Sequence, residues 1–258
     1  MPPKVLATLM MGEVMREAHG LMAWMALKVP PGSEKLTLSG ASIVYNRNEA
    51  ARQCLAGDYT HLFMMDDDHA FDPGLLLRMV GSPADITVPC CLIRTPPFPP
   101  TNMVWDSIGH LYRATALSAP QDGLLSVDAA GGAGMLIKRH VLELMQPPWF
   151  RLGQIKMTEL GEDLDFCRRA KALGYTVCID LENPMGHTVK GIIWPEWGPG
   201  GMGKTALVVH TLNTHFAEKT SHTLYIDFRS PDILYDLRVE VWRALAIAQG
   251  NKQFDWSV

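Results

Sequence analysis

The 258-residue sequence has no apolar run close to the roughly 20 residues that a bilayer-crossing helix needs. Its opening, MPPKVLATLMMGEVMREAHG, is interrupted by Glu13, Arg16 and Glu17. It therefore reads neither as a secretory leader nor as an anchor, and a cytoplasmic location is expected. Positive charge is not in excess, since 23 lysines and arginines face 27 acids for a net charge of -4. That balance argues against a protein devoted to gripping nucleic-acid phosphates non-specifically, while leaving room for a local basic groove. Zinc-ligand CxxC pairs are missing, and the five cysteines (Cys54, Cys90, Cys91, Cys167 and Cys178) are odd in number and mostly in apolar surroundings. They read as buried free thiols in a reducing compartment. Internal repeats and low-complexity segments are also missing.

What is present is an ordinary soluble composition, 47% hydrophobic and 19% charged, long enough for one large α/β domain or a medium domain with an appendage. KVLATLMM reads as a strand, followed by a helical stretch to about Ala26. ASIVYNRNEAARQCLAGDYTHLFMM predicts a short strand, a helix from about Asn48, and an apolar strand ending at Met65. DPGLLLRMVGSP opens with Asp72 as a helix cap and stops at Gly81, and DITVPCCLI is a buried-type strand. Strands and helices alternating at this length favour a sheet covered on both faces. A proline-rich loop from Arg94 leads to a small antiparallel section through Ala114. LLSVDAAGGAGMLIKRHVLELM predicts strand, glycine turn, strand, and helix from about Arg139. QPPWFRLG reads as a mobile connection before GEDLDFCRRAKALGYTVCIDL, a helix and then a strand.

The stretch HLFMMDDDHAFDP carries the most chemistry, because it runs an apolar strand into Asp66, Asp67 and Asp68. Unit charges about 4 Å apart repel by about 1 kcal/mol even in bulk water. In open α/β sheets ligands gather at the carboxyl ends of strands, where this cluster falls. If the chain stays extended, Asp66 and Asp68 point to one side and Asp67 to the other. Two carboxylates aimed at one point suit a hard divalent cation shared with substrate phosphates, and such an ion relieves the repulsion. An exposed acidic turn is the plain alternative.

LFMMDDD resembles the DxD motif of GT-A glycosyltransferases, and three further segments resemble that family in the same order. They are RNEAARQCL from Arg47, DAAGGAGMLIKRHVLELM, and GEDLDFCRRAKALGYTVCIDLENPMGH. Together they span about residues 4 to 188. The resemblance implies a GT-A-like mixed sheet flanked by helices over residues 1–190, with a partly helical extension over 191–258. It implies a metal-dependent transfer of a sugar from a nucleotide-diphosphate donor to a hydroxyl acceptor, with Mn2+ or Mg2+ as the ion. The acceptor class is open among glycan, lipid, protein and modified nucleic acid. Carried onto this sequence, Asp68 binds the metal directly, Asp66 meets it through water or meets the ribose, and His187 is the late ligand. Asp163 becomes the base of an inverting reaction, with Glu162 beside it. One residue apart on a helix, the two point roughly 100° apart, so only one faces the site well. Arg47, Gly132 and Thr8 become candidate contacts to the nucleotide, with Gly131 and Gly134 completing a turn in which backbone approaches ligand. Helix-dipole stabilisation alone also accounts for Glu162 and Asp163, and Asp165 reads as an ordinary helix-surface residue.

A rival signal is GPGGMGKT, Gly198 to Thr205, which fits the phosphate-binding pattern GxxxxGK[ST] and precedes a helix-like ALVVHTLNTHF. It raises the alternative of a P-loop nucleotide-binding protein or ATPase. Pro195 and Glu196 immediately upstream, the short chain remaining after Lys204, and a Walker-B-like strand lying far upstream count against it. A milder reading is a glycine-rich loop that brings Lys204 near the donor phosphates. The tail SPDILYDLRVEVWRALAIAQGN reads as an amphipathic helix with Ile233, Leu237 and Val241 along one side.

Overall fold

The runs VLATLM and LFMM are apolar at every position except Thr8, so a strand formed by either must be covered on both faces. Both lie at the heart of the computed structural model. It describes residues 2–11, 18–95, 98–109, 111–114, 123–156, 158–188, 192–198, 201–208 and 224–226, with side chains as far as residue 188 apart from Ala18 and Thr158. The first part of the chain forms β1 (Val5–Met10), α1 (Ala18–Ala26), β2 (Glu34–Leu38), α2 (Ile43–Ala56), β3 (His61–Asp66), β4 (His69–Ala70), α3 (Leu75–Met79) and β5 (Ile86–Pro89). There follow β6 (Asn102–Asp106), β7 (Leu111–Ala114), β8 (Leu124–Ser126), β9 (Ala129–Ala130), β10 (Met135–Lys138), α4 (Arg139–Leu144), β11 (Gly153–Ile155) and β12 (Thr158–Leu160). The last described elements are α5 (Glu162–Ala172), β13 (Val177–Asp180), β14 (Gly186–Thr188), β15 (Ile192–Gly198), β16 (Gly201–Val208) and β17 (Leu224–Ile226).

Seven strands in the order β2-β1-β3-β10-β5-β13-β8 make a central mixed sheet, parallel except for β10 and the edge strand β8. Alternate residues of β1 and β3 feed two separate cores. Leu6, Met10, Leu62 and Met64 pack with Ala50, Ala51 and Cys54 of α2, Val141 and Leu142 of α4, and Phe166 of α5. Val5, Ala7, Leu9, Phe63 and Met65 pack with Trp24 of α1 and Leu75, Leu76 and Met79 of α3 on the other face. The fold is therefore a mixed α/β sheet flanked by helices, the class expected from the sequence. Smaller antiparallel sheets, β7-β6-β9, β11-β12 and β17-β16-β15-β14-β4, lie around it.

Several local expectations are corrected. The predicted strand over ASIV is the first turn of α2, started by the Ser42 hydroxyl, which accepts from the Tyr45 N–H at 3.3 Å. The strand beside β1 is instead Glu34–Leu38, a half-exposed edge whose lysine and glutamate hide its β character. Asp72 does not cap a long helix. It accepts from the Gly74 N–H and from Arg78, and α3 runs for only five residues. QPPWFRLG is tied down, because Asn48 exchanges two hydrogen bonds with the Phe150 backbone and the fully buried Phe150 ring stacks on Phe166 at 4.5 Å. Such an aromatic pair adds about 0.5–1.5 kcal/mol to the burial of its area.

Asp165 is not a surface residue. It is 1% exposed and accepts from Arg151, Arg168 and Arg169 at 3.1, 2.6 and 2.8 Å. The cysteines are free thiols, four of them buried.

The boundary expected at residue 190 falls inside one sheet, since β14 and β4 belong to the first segment and β15, β16 and β17 to the second. The described residues of GPGGMGKT lie on the paired strands β15 and β16. Gly198 pairs with Gly201, and Lys204 pairs with Glu196, in two antiparallel strands. A phosphate-binding loop must open into the N-terminus of a helix, whose free N–H groups hold the anion. Residues 201–208 are strand instead. Most of the predicted helix after Thr205, and the whole amphipathic tail, lie outside the described residues. No helix among the described residues is long and apolar enough to cross a membrane.

Candidate functional site

Strand β3 delivers Asp66 at its carboxyl end, and the chain turns through Asp67 and Asp68 into β4. The expected extended run therefore stops at Asp66, and the outer aspartates face different partners. A cleft of about 200 Å³ opens beside them, lined by Met10 and Met11, Ala41, Ile43 and Asn46, the three aspartates, and Arg94. Close approach of α1 shapes the turn. A Cβ on Gly20 would lie 2.0 Å from the Asp67 carbonyl oxygen, so only glycine fits.

On one side of the cleft stands Arg47 of α2, 2% exposed. Its Nη2 donates to both oxygens of Asp66 at 3.1 Å, and its Nη1 donates to Glu162 Oε1 at 2.7 Å. Burial lowers the affinity of Arg47 for its proton, but Asp66, Asp163 and Glu162 more than reverse that, so it stays charged. Burial raises the Glu162 carboxyl above its usual range, Arg47 opposing and Asp163 and Asp66 reinforcing the shift. The guanidinium rests on Gly132, where a Cβ would sit 2.0 Å from Nη1. The Gly132 N–H in turn donates to Asp163 Oδ2 at 3.0 Å, and the other Asp163 oxygen accepts from the Leu164 N–H at 2.8 Å. Gly134, at φ 71°, completes this turn beneath Pro89. Arg47, Asp66, Gly132, Glu162 and Asp163 thus form one connected group drawn from four parts of the chain.

On the other side, Asp68 lies among cationic and imidazole groups. Arg94 Nη1 donates to its Oδ2 at 2.8 Å, His187 Nε2 lies 3.4 Å from the same oxygen, and His69 Nδ1 lies 2.8 Å from Oδ1. Burial favours the neutral acid, but contacts to His187 and His69 outweigh it and hold Asp68 well below the ordinary carboxylate range. His187 arrives on β14, whose pairing with β4 sets it opposite His69 in register. The two rings stack with centroids 4.2 Å apart. Cys91 stands close by, and one donor atom each from His69, Cys91 and His187 lie within 4.8 Å of one another.

Thr8 is not at the cleft. Its strand continues two residues further, and its fully buried hydroxyl donates to the Phe63 carbonyl at 3.0 Å. Met10 and Met11 line the cleft instead. A Cβ on Gly131 would lie 3.3 Å from the Thr101 Cβ, tighter than ordinary contact, so Gly131 sits close against Thr101. Lys204 lies on β16, with its side chain outside the described residues. Sequence reasoning missed His69, Cys91, Arg94 and Gly20. The histidine directly follows the aspartates and was open to notice, whereas the other three come near the aspartates only through tertiary packing.

No protein-family model matches the chain, and no curated protein does. Solved structures match in shape. A197 from STIV superposes with a TM-score of 0.50 at 16% identity, over 74% of this chain and 90% of that one. GalNAc-T7, solved with UDP, GalNAc and Mn2+, gives a TM-score of 0.47 at 11% identity, over 72% of this chain and 44% of its own. These likenesses concern the fold.

Proposed function

We propose that the protein is a metal-dependent glycosyltransferase, moving a sugar with inversion from a nucleotide-diphosphate donor to a hydroxyl acceptor. The observation that carries this reading is the meeting of Asp68 with His187 across 119 positions of sequence, 3.4 Å apart beside Asp66 and Asp67 at a cleft. The donor set fits a divalent ion. His187 Nδ1 lies 2.7 Å from the Leu92 carbonyl, which requires an N–H there and leaves Nε2 as a bare lone pair towards a carboxylate oxygen in the neutral ring. Asp68 and His187 would hold the ion, a carboxylate and an imidazole suiting Mn2+. When bound, the ion supplies Lewis-acid stabilisation of charge on a departing diphosphate.

The chain's own groups supply the rest. Arg94, half exposed at the cleft, is placed to meet donor phosphate oxygens. Asp163 is fixed by the Gly132 and Leu164 N–H groups, and in this reading it accepts the proton of the acceptor hydroxyl. Glu162 and Asp66, both bound to Arg47, position that wall and do not take the proton themselves.

The test is Mn2+-dependent turnover of UDP-, GDP-, CDP- and dTDP-sugars, with release of the nucleoside diphosphate as readout. Asp68→Ala is expected to reduce turnover at least about a hundredfold with the fold intact. Asp163→Asn should lower turnover by about 10²–10⁴ while donor binding persists. Full activity in Asp68→Ala would end the proposal. Equal losses of turnover and donor binding in Asp163→Asn would remove Asp163 as base.

A further inference from the structure

Cys91 lies two residues beyond β5, 2% exposed, with its thiol 3.6 Å from the Leu92 carbonyl and close to histidines of β4 and β14. A buried cysteine among apolar groups is unremarkable, but here three further features converge. First, His69 is 3% exposed, and its Nδ1 has no aligned hydrogen-bond partner although Asp68 Oδ1 lies 2.8 Å away. Second, His187 Nδ1 donates to the Leu92 carbonyl, which leaves Nε2 as the nitrogen that faces inwards, 3.4 Å from Asp68 Oδ2. An imidazole oriented by a backbone carbonyl on its other nitrogen is the usual arrangement of a metal-ligating histidine. Third, ligand atoms of His69, Cys91 and His187 already lie within 4.8 Å of one another. Around a tetrahedral zinc, with bonds of about 2.0–2.3 Å, ligand atoms are about 3.3–3.8 Å apart, so side-chain adjustments of about an ångström complete the set.

We propose that His69, Cys91 and His187, with Asp68 beside them, form a thiolate-containing site for a zinc-type divalent transition metal. Cys91 loses its thiol proton to solvent as the Cys91 Sγ–metal bond forms, with no change of oxidation state. The ion enters from the cleft, which Asp68 lines. Sulfur and two imidazoles select Zn2+ or Co2+ over Mg2+, which takes oxygen ligands. The proposal rests on the metal half of the function argued above, adds His69 and Cys91 to Asp68 and His187 around that one ion, and so replaces Mn2+ with a zinc-type ion there, without needing sugar transfer.

The experiment is a titration of the chelator-stripped full-length protein with Co2+ under reducing, anaerobic conditions. A near-ultraviolet thiolate-to-cobalt charge-transfer band is expected, saturating at one ion per chain and bleached by Zn2+. Cys91→Ser should abolish that band with an unchanged circular dichroism spectrum, whereas Cys178→Ala should keep it. His69→Ala should weaken Co2+ binding at least about tenfold, since even outer partners of metal ligands carry that much. Absence of a sulfur band in the wild-type protein overturns the inference, as does a band that survives in Cys91→Ser. Should Cys91→Ser fail to fold, the wild-type band and the His69→Ala affinity decide it in the same directions. Mn2+-dependent donor turnover without any sulfur band would sink this inference and leave the proposed function standing. A sulfur band without turnover would do the reverse.

Discussion

Replacing Asp165 with alanine removes the one acid that three arginines share. Asp165 is 1% exposed, and its oxygens accept from Arg151 Nε, Arg168 Nη2 and Arg169 Nε. The arginines differ in what they can do afterwards. Arg151 and Arg168 are 52% and 38% exposed and can turn to water, whereas Arg169 is 17% exposed and remains among protein atoms. Breaking a buried ion pair costs about 3–5 kcal/mol, and exposed pairs are worth about 0–1 kcal/mol each. With one truly buried partner the expected loss is about 3 kcal/mol. Urea unfolding measures it directly. With a slope of about 1–3 kcal/mol per molar urea, the midpoint falls by about 1–3 M.

The pH dependence has a definite sign. Burial raises the Asp165 pKa, but hydrogen bonds from Arg168, Arg169 and Arg151 exceed that effect and leave it below its ordinary value. A carboxylate held below its unfolded pKa of about 3.9 contributes stability that is fully present above that value. The contribution is lost as pH falls through the folded pKa. The gap between wild type and Asp165→Asn should therefore be widest near neutrality and close below about pH 4. A loss under about 1 kcal/mol, or a gap independent of pH, would refute this account of α5.

Further outcomes follow from the glycines and Arg47. Gly20→Ala puts a Cβ 2.0 Å from the rigid Asp67 backbone oxygen, so the aspartate turn must shift, at about 1–3 kcal/mol in thermal unfolding. An unchanged melting temperature would show that α1 does not press on the turn. Arg47→Met leaves Asp66 and Glu162 without their shared cation and should cost about 3–5 kcal/mol in denaturant. Gly132→Ala drives its Cβ into Arg47 and should lose part of the same energy. Combined with Arg47→Met it should therefore add less than the sum of the two, a coupling that a double-mutant cycle reads.

The central sheet was legible because β1, β3 and β5 are apolar at nearly every position, a pattern that only double-sided burial explains. The start of α2 was not, because Ile43, Val44 and Tyr45 favour strands locally and only the Ser42 cap turns them into helix. Asp165 looked solvent-facing because an acidic residue on a charge-rich helix usually is. Its burial depends on Arg151, which is remote from the helix that carries the acid. The GPGGMGKT pattern matched by letter, yet its described residues lie on paired strands, and a phosphate loop is defined by the helix that follows it. Asp68 and His187 were singled out from the resemblance, whereas the approach of His69 and Cys91 to them depends on the pairing of β4 with β14 and on the course of the chain after β5. Spacing along the sequence carries no trace of such a meeting.

Three adjacent aspartates are tolerable before any ion arrives because the outer two have cations of different kinds. Asp66 is held by Arg47, whose side chain is 3% exposed, and Asp68 is held by Arg94, whose side chain is 48% exposed. The Asp68–Arg94 pair is worth about 0–1 kcal/mol, so an incoming divalent ion displaces Arg94 readily. Drawing Asp66 away would strand a buried guanidinium, at about 3–5 kcal/mol. In the proposed function Asp68 is thus the carboxylate assigned to a metal, and Asp66 is assigned to the wall that Arg47 organises. Asp68→Asn should lose calorimetric Mn2+ binding and less unfolding free energy than Asp66→Asn. Asp66→Asn should lose several kcal/mol, about 3 or more, in the same unfolding measurement. Equal losses of stability in the two variants would mean that the aspartates share one environment, and the division of labour drawn from their arginines would fall.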